Sequence, residues 1–131
     1  MGEVRGRLLV VEDQQDLREL LATAFSLEGY AVSTAASGEE ALALVQREVP
    51  DLIVLDLALP GMGGIETLRR IREGGRAPQV VIVTAHGTPA QMREAMALGV
   101  REFIGKPFDL DRLLRVVAGE MKEVKPPPRE G

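Results

Sequence analysis

Five short apolar, β-branched stretches punctuate the chain: Leu8–Val11, Ala31–Ala35, Leu52–Leu55, Val80–Val83 and Glu102–Ile104. They begin at positions 8, 31, 52, 80 and 102, which leaves room for one helix after each strand. The first, third and fourth are continuously apolar and do not alternate. That pattern predicts strands buried on both faces of a parallel sheet.

The intervening segments carry helical periodicity. Leu17, Leu20, Leu21, Ala24 and Phe25 share one helix face, which ends at Gly29. Ser37 with Glu40 has the form of a capping box ahead of Ala41, Leu42, Leu44 and Val45. Ile65, Leu68 and Ile71 carry a third helix, closed by Gly74-Gly75. Thr88-Pro89 opens a fourth, with Met92, Ala95 and Met96, that runs up to Gly99. Asp109 caps a fifth, which carries Leu113, Leu114, Val116 and Val117. Strand and helix alternate five times, so the fold expected is α/β: an open, doubly wound parallel sheet with helices on both faces. The folded part spans residues 6–121. Residues 122–131, which include Pro126-Pro127-Pro128, read as a Pro-rich linker or flexible tail.

Composition narrows the chemistry. At 131 residues the chain makes a single domain. The absence of Cys removes disulfides, thiolate zinc sites and thiol nucleophiles. Aromatic residues at 3% and a net charge of -4 supply neither stacking platforms nor a basic footprint, so direct nucleic-acid binding is not expected. The longest apolar run, Ala41–Val45, is too short for a signal peptide or a membrane span. A soluble, cytoplasmic protein is the expectation.

In an open α/β sheet, ligands bind beyond the carboxyl ends of the strands. There the first strand runs into Glu12-Asp13, the third into Asp56, the fourth into Thr84 and the fifth into Lys106-Pro107. Singly, each has a local explanation. Asp13 could cap the first helix, Asp56 could start a turn, Thr84 could be half-buried filler and Lys106 a solvated loop residue. Together they gather three carboxylates, a hydroxyl and an ammonium at one end of the sheet. Two carboxylates about 4 Å apart repel by roughly 4 kcal/mol at an effective dielectric near 20, so such a cluster calls for a shared proton or a cation. Hard oxygen ligands suit Mg2+, Mn2+ or Ca2+, and Lys106 could hold a second anion. This set is suited to phosphoryl transfer onto a carboxylate.

The set Glu12-Asp13, Asp56, Thr84-Ala85, Phe103 and Lys106-Pro107 resembles the receiver domain of two-component response regulators. The strings VVEDQQDLRELL, DLIVLDLALPGMGGIETLRRIR and VVIVTAHGTPAQMREAMALGVREFIGKPF carry the resemblance, in order, across most of the chain. The last is most similar to receivers of the nitrogen-regulation type, which precede an ATPase that activates transcription. The resemblance implies a flavodoxin-like (βα)5 fold with strand order 2-1-3-4-5.

By that resemblance, Asp56 is the phosphoacceptor for a phosphohistidine of a sensor histidine kinase. Asp13, Asp56 and the main-chain carbonyl of Ala58 would ligate Mg2+ (or Mn2+) directly, with Glu12 acting through water. Lys106 would pair with Asp56 and then with the phosphoryl oxygens, across a Lys106-Pro107 bond usually cis in the family. Thr84 and Phe103 would form the switch pair, altering the surface of helix 4, strand 5 and helix 5 toward an output domain or effector protein. Ala58 and His86 lie where members tune phosphoryl lifetime. The resemblance makes the domain a signalling switch, not an enzyme in its own right, and allows a homodimer. Leu59 replaces a commoner methionine, and Gly63 stands where Asp or Asn is frequent.

Three alternatives remain beside it. A haloacid-dehalogenase-type phosphatase needs a second Asp two residues after its nucleophile, where this chain has Ala58. A flavin mononucleotide site needs a phosphate cradle, and Glu12-Asp13-Gln14-Gln15-Asp16 would repel phosphate. A degenerate receiver would act as a phosphorylation-independent interaction module.

Overall fold

The computed structural model describes residues 4–124. The order is β1 (Arg7–Val11), α1 (Gln15–Leu27), β2 (Ala31–Ala35), α2 (Gly38–Arg47), β3 (Leu52–Leu55), α3 (Gly64–Glu73), β4 (Gln79–Thr84), α4 (Pro89–Ala97), β5 (Glu102–Gly105) and α5 (Leu110–Met121). All neighbouring strands pair in parallel, in the order β2-β1-β3-β4-β5. Each predicted strand and helix is present. The triple proline lies outside the described residues.

The continuously apolar strands explain the layering. In β1 and β3, Leu9, Val11, Ile53 and Leu55 face one layer, where they meet Ala41 and Val45 of α2, Leu68 and Ile71 of α3, and Ala95 of α4. Their sequence neighbours Leu8, Val10, Leu52 and Val54 face the other, against Leu21 and Phe25 of α1 and Leu113 and Val117 of α5. Both faces are therefore dry, and burying each such side chain stabilises the fold by about 1.5–3 kcal/mol. Beyond the carboxyl ends of the strands, only loops remain to carry polar groups into one crevice.

Local signals act partly as expected. Thr88 and Gln91 form a reciprocal capping box at α4, with Pro89 in the first turn. At α2, Ser37 Oγ accepts from the Glu40 amide, but the Glu40 carboxylate reaches past the cap to the Ala36 amide. The reciprocal arm thus lands one residue early. Asp13 does not cap α1: the cap position is Gln14, and it makes no side-chain capping bond. That leaves the Asp13 carboxylate free of a helix-capping duty.

Candidate functional site

The carboxyl ends of β1 and β3 are adjacent, with Val11 opposite Leu55, so the residues that follow them meet. Glu12 and Asp56 are buried, 3% and 5% exposed, while Asp13 is exposed. One carboxylate oxygen from each of Glu12, Asp13 and Asp56 lies within 4.8 Å of the others. Lys106 arrives from the loop after β5 and donates to Glu12 Oε1 at 2.6 Å and to Asp56 Oδ2 at 2.8 Å. Its peptide bond to Pro107 is cis. The Ala58 amide holds Asp56 Oδ1 at 2.9 Å, and the Gln14 amide holds Glu12 Oε2 at 3.0 Å.

Burial and ion pairing compete in this pocket. It raises the Glu12 carboxyl above the usual carboxylate range, despite the hydrogen bond and charge of Lys106 and the Gln14 amide, which pull it down. Burial also works against the charged form of Lys106, but its hydrogen bonds to Asp56 and Glu12, and their charges, outweigh that and raise it. The ammonium therefore stays protonated and serves the two buried acids as a counter-ion.

The remaining candidates lie on β4, β5 and the loops after β3 and β4. Thr84 ends β4 opposite Gly105, and its carbonyl accepts from the Lys106 amide at 3.0 Å. Its hydroxyl oxygen is buried and has no hydrogen-bond partner, a deficit worth about 1–3 kcal/mol. Phe103 on β5 is half-buried and packs against the core layer beneath α2, α3 and α4. His86 and Ala58 are exposed in the loops after β4 and β3.

Two contributors escape a reading of sequence alone. Arg18 of α1 donates to the carbonyls of Glu12 at 2.9 Å and Asp13 at 3.3 Å. A lone arginine one turn into a helix, just after an acidic run, is the only trace of this in the chain. Gly64 opens α3 where a Cβ would lie 2.5 Å from the Asp56 carbonyl oxygen and 2.6 Å from Leu57 Cα. Only glycine allows that approach.

The oxygen donors fit a hard divalent cation: three clustered carboxylates, two of them buried beside a single lysine, are the chemistry Mg2+ or Mn2+ takes. A doubly wound parallel sheet with an acidic, lysine-bearing pocket at its carboxyl edge is the arrangement of a ligand-binding α/β domain. The sequence matches the response regulator receiver domain family over residues 8–118, and the chain belongs to that family. It is 41% identical to sporulation initiation phosphotransferase F of Bacillus subtilis over 107 residues, 82% of this chain and 86% of that protein. It is 36% identical to the phosphate regulon transcriptional regulatory protein PhoB of Rhizobium meliloti, covering 92% of this chain but 54% of the longer relative. It spans about half or less of several other curated relatives. Among solved structures, a CheY-like response regulator receiver domain protein from Methanospirillum hungatei superposes with a TM-score of 0.86 at 25% identity, covering 93% of this chain and 96% of that one. Members of the family are signalling domains of two-component systems and not conventional enzymes; aspartate phosphorylation and Mg2+ are typical of them. Among the described residues no helix is long and apolar enough to cross a membrane.

Proposed function

We propose that residues 6–121 form a cytoplasmic switch that is activated when Asp56 takes a phosphoryl group from a phosphohistidine of a sensor histidine kinase. The observation that carries this reading is the state of Asp56: buried, with one oxygen held by the Ala58 amide and the other by Lys106. Such a carboxylate is oriented for attack on phosphorus. Its oxygen forms the new O–P bond as the histidine nitrogen departs with the bonding pair, giving an acyl phosphate. Asp13, Asp56, the Ala58 carbonyl and Glu12 are the residues that would hold Mg2+ or Mn2+. When bound, the cation neutralises charge on the transferring phosphoryl oxygens.

Lys106 then exchanges its carboxylate partner for a phosphoryl oxygen, keeping the developing charge paired in a dry pocket. Thr84 supplies the hydroxyl that lacks a partner in the resting protein. Its shift draws in the loop after β4, and Phe103 turns into the space released, changing the face formed by α4, β5 and α5. That face acts on an output domain, an effector protein or a second copy of the chain. Ala58 offers little obstruction to attacking water, and His86 shields or orders it. The domain binds no nucleic acid itself.

The test is brief incubation with Mg2+ and acetyl phosphate, followed by intact-mass measurement. One phosphoryl adduct on the wild type and none on Asp56→Asn is expected. An unmodified wild type, or an equal adduct on Asp56→Asn, overturns the reading. The first of these outcomes leaves a phosphorylation-independent interaction module.

A further inference from the structure

The loop between β1 and α1 carries two of the three acidic side chains, yet no side-chain cap at the start of α1 holds it. Gln14 occupies the cap position without a side-chain capping bond. What holds the loop is a set of crosswise contacts: the Glu12 amide on Ala35 O at 3.0 Å, the Gln14 amide on Glu12 Oε2, and Arg18 Nη1 on the carbonyls of Glu12 and Asp13. Of these, Arg18 alone fixes the carbonyl of Asp13. Among the described residues the Asp13 carboxylate has no ion-pair partner, so its direction follows the backbone of that loop. Arg18 is half-buried and, among the described residues, pairs with no carboxylate; its guanidinium is given over to two main-chain oxygens.

We infer that Arg18 is a positioning residue for the acidic pocket, holding Asp13 rigidly enough for the pocket to prefer Mg2+ over Ca2+. The inference rests on the cation site proposed above. Mg2+ demands near-octahedral oxygen geometry and tolerates little displacement of a ligand, whereas Ca2+ accepts variable number and angle. Partners that orient a metal ligand without touching the metal typically govern about 10–100-fold in affinity. A clamp on the Asp13 backbone therefore acts chiefly on the ion with the stricter geometry. A purely electrostatic role predicts the opposite. Removing a cationic side chain near the pocket would tighten both ions alike.

The experiment is calorimetric titration of the full chain, separately with Mg2+ and Ca2+, for wild type, Arg18→Met and Arg18→Lys. Thermal melts without metal confirm that each is folded. In Arg18→Met the Mg2+ dissociation constant should rise about tenfold, while that for Ca2+ changes by less than about threefold. Arg18→Lys, with its charge kept and one short donor, should fall between and supplies the answer if the methionine variant does not fold. Equal changes for the two ions, tighter binding of both, or no change in either variant overturns the inference and leaves the switch intact. A wild type that binds no Mg2+ overturns the cation site itself, and this inference with it.

Discussion

Lys106 lies closer to Glu12, at 2.6 Å, than to the phosphoacceptor candidate Asp56, at 2.8 Å. One ammonium thus stands between two buried acids, in the role a divalent cation would share. Removing it strands both carboxylates. Lys106→Met should lose roughly 3 kcal/mol of folding stability in the presence of a chelator, the scale for breaking a buried ion pair. Added Mg2+ should raise the melting temperature of the variant by more than that of the wild type, because the cation then replaces a missing charge. Melting curves with and without Mg2+ decide it, and equal shifts would contradict the counter-ion role.

Gly63 and Gly64 are adjacent but should respond differently to alanine. Gly63 sits at φ +77° and ψ 162°, a conformation essentially reserved for glycine, with nothing within 4 Å of a Cβ, so Gly63→Ala meets only backbone strain of about 1–3 kcal/mol. At Gly64 the new methyl would overlap the backbone of Asp56 and Leu57, which cannot rotate away. Gly64→Ala should cost about 2–3 kcal/mol and also slow phosphorylation by acetyl phosphate, since the displaced residue is the proposed acceptor. Urea unfolding paired with adduct formation rates separates the two. Equal slowing of adduct formation in both variants would count against it.

The architecture was legible because the strand–helix alternation is written locally. Continuous apolar runs announce two covered faces, and the residues just past Val11, Leu55, Thr84 and Gly105 must then share one edge. Contact partners are another matter. Glu12 and Lys106 are 94 residues apart, and only strand order together with the path of two loops decides that they touch. The hydrogen bonds of Arg18 depend on how α1 leaves β1, a geometry no periodicity encodes. The capping box at Ser37 shows the same limit on a smaller scale, since the pattern holds while the Glu40 carboxylate chooses Ala36 over Ser37.

Arg72 anchors the far end of α4. Its guanidinium donates to Leu98 O at 2.9 Å, Pro78 O at 3.0 Å and Arg76 O at 3.4 Å, and burial depresses its pKa. The same helix buries only Ala95, and Arg69 adds an ion pair to Glu94. With so little apolar attachment, α4 depends on these polar ties. Arg72→Met should leave partly buried carbonyls unpaired, cost about 1–3 kcal/mol and speed amide exchange in α4 and at Val100 more than in β1 or β3. Uniform exchange acceleration across the sheet would show instead that Arg72 supports the whole fold.

Tyr30 provides a pH signature from the opposite end of the molecule. It is 6% exposed, its hydroxyl has no hydrogen-bond partner, Phe25 meets it edge-on, and the Arg5 guanidinium lies 4.8 Å from the ring centre. Burial raises its pKa; Arg5 pulls it down and Glu28 pushes it up. The folded protein therefore retains the phenolic proton longer than the unfolded chain, which releases it near the ordinary value of about 10. Between those two values the unfolded state binds fewer protons, so stability falls as pH rises. The contribution is intact below about pH 10 and is lost as pH climbs through the folded value. Because the chain has one Tyr and no Trp, tyrosinate absorbance reports this residue alone. The midpoint should lie higher in the native protein than in urea, and Arg5→Ala should move it higher still by removing the cation that favours the phenolate. Coincident midpoints in native and unfolded protein would mean that the ring is not buried as described.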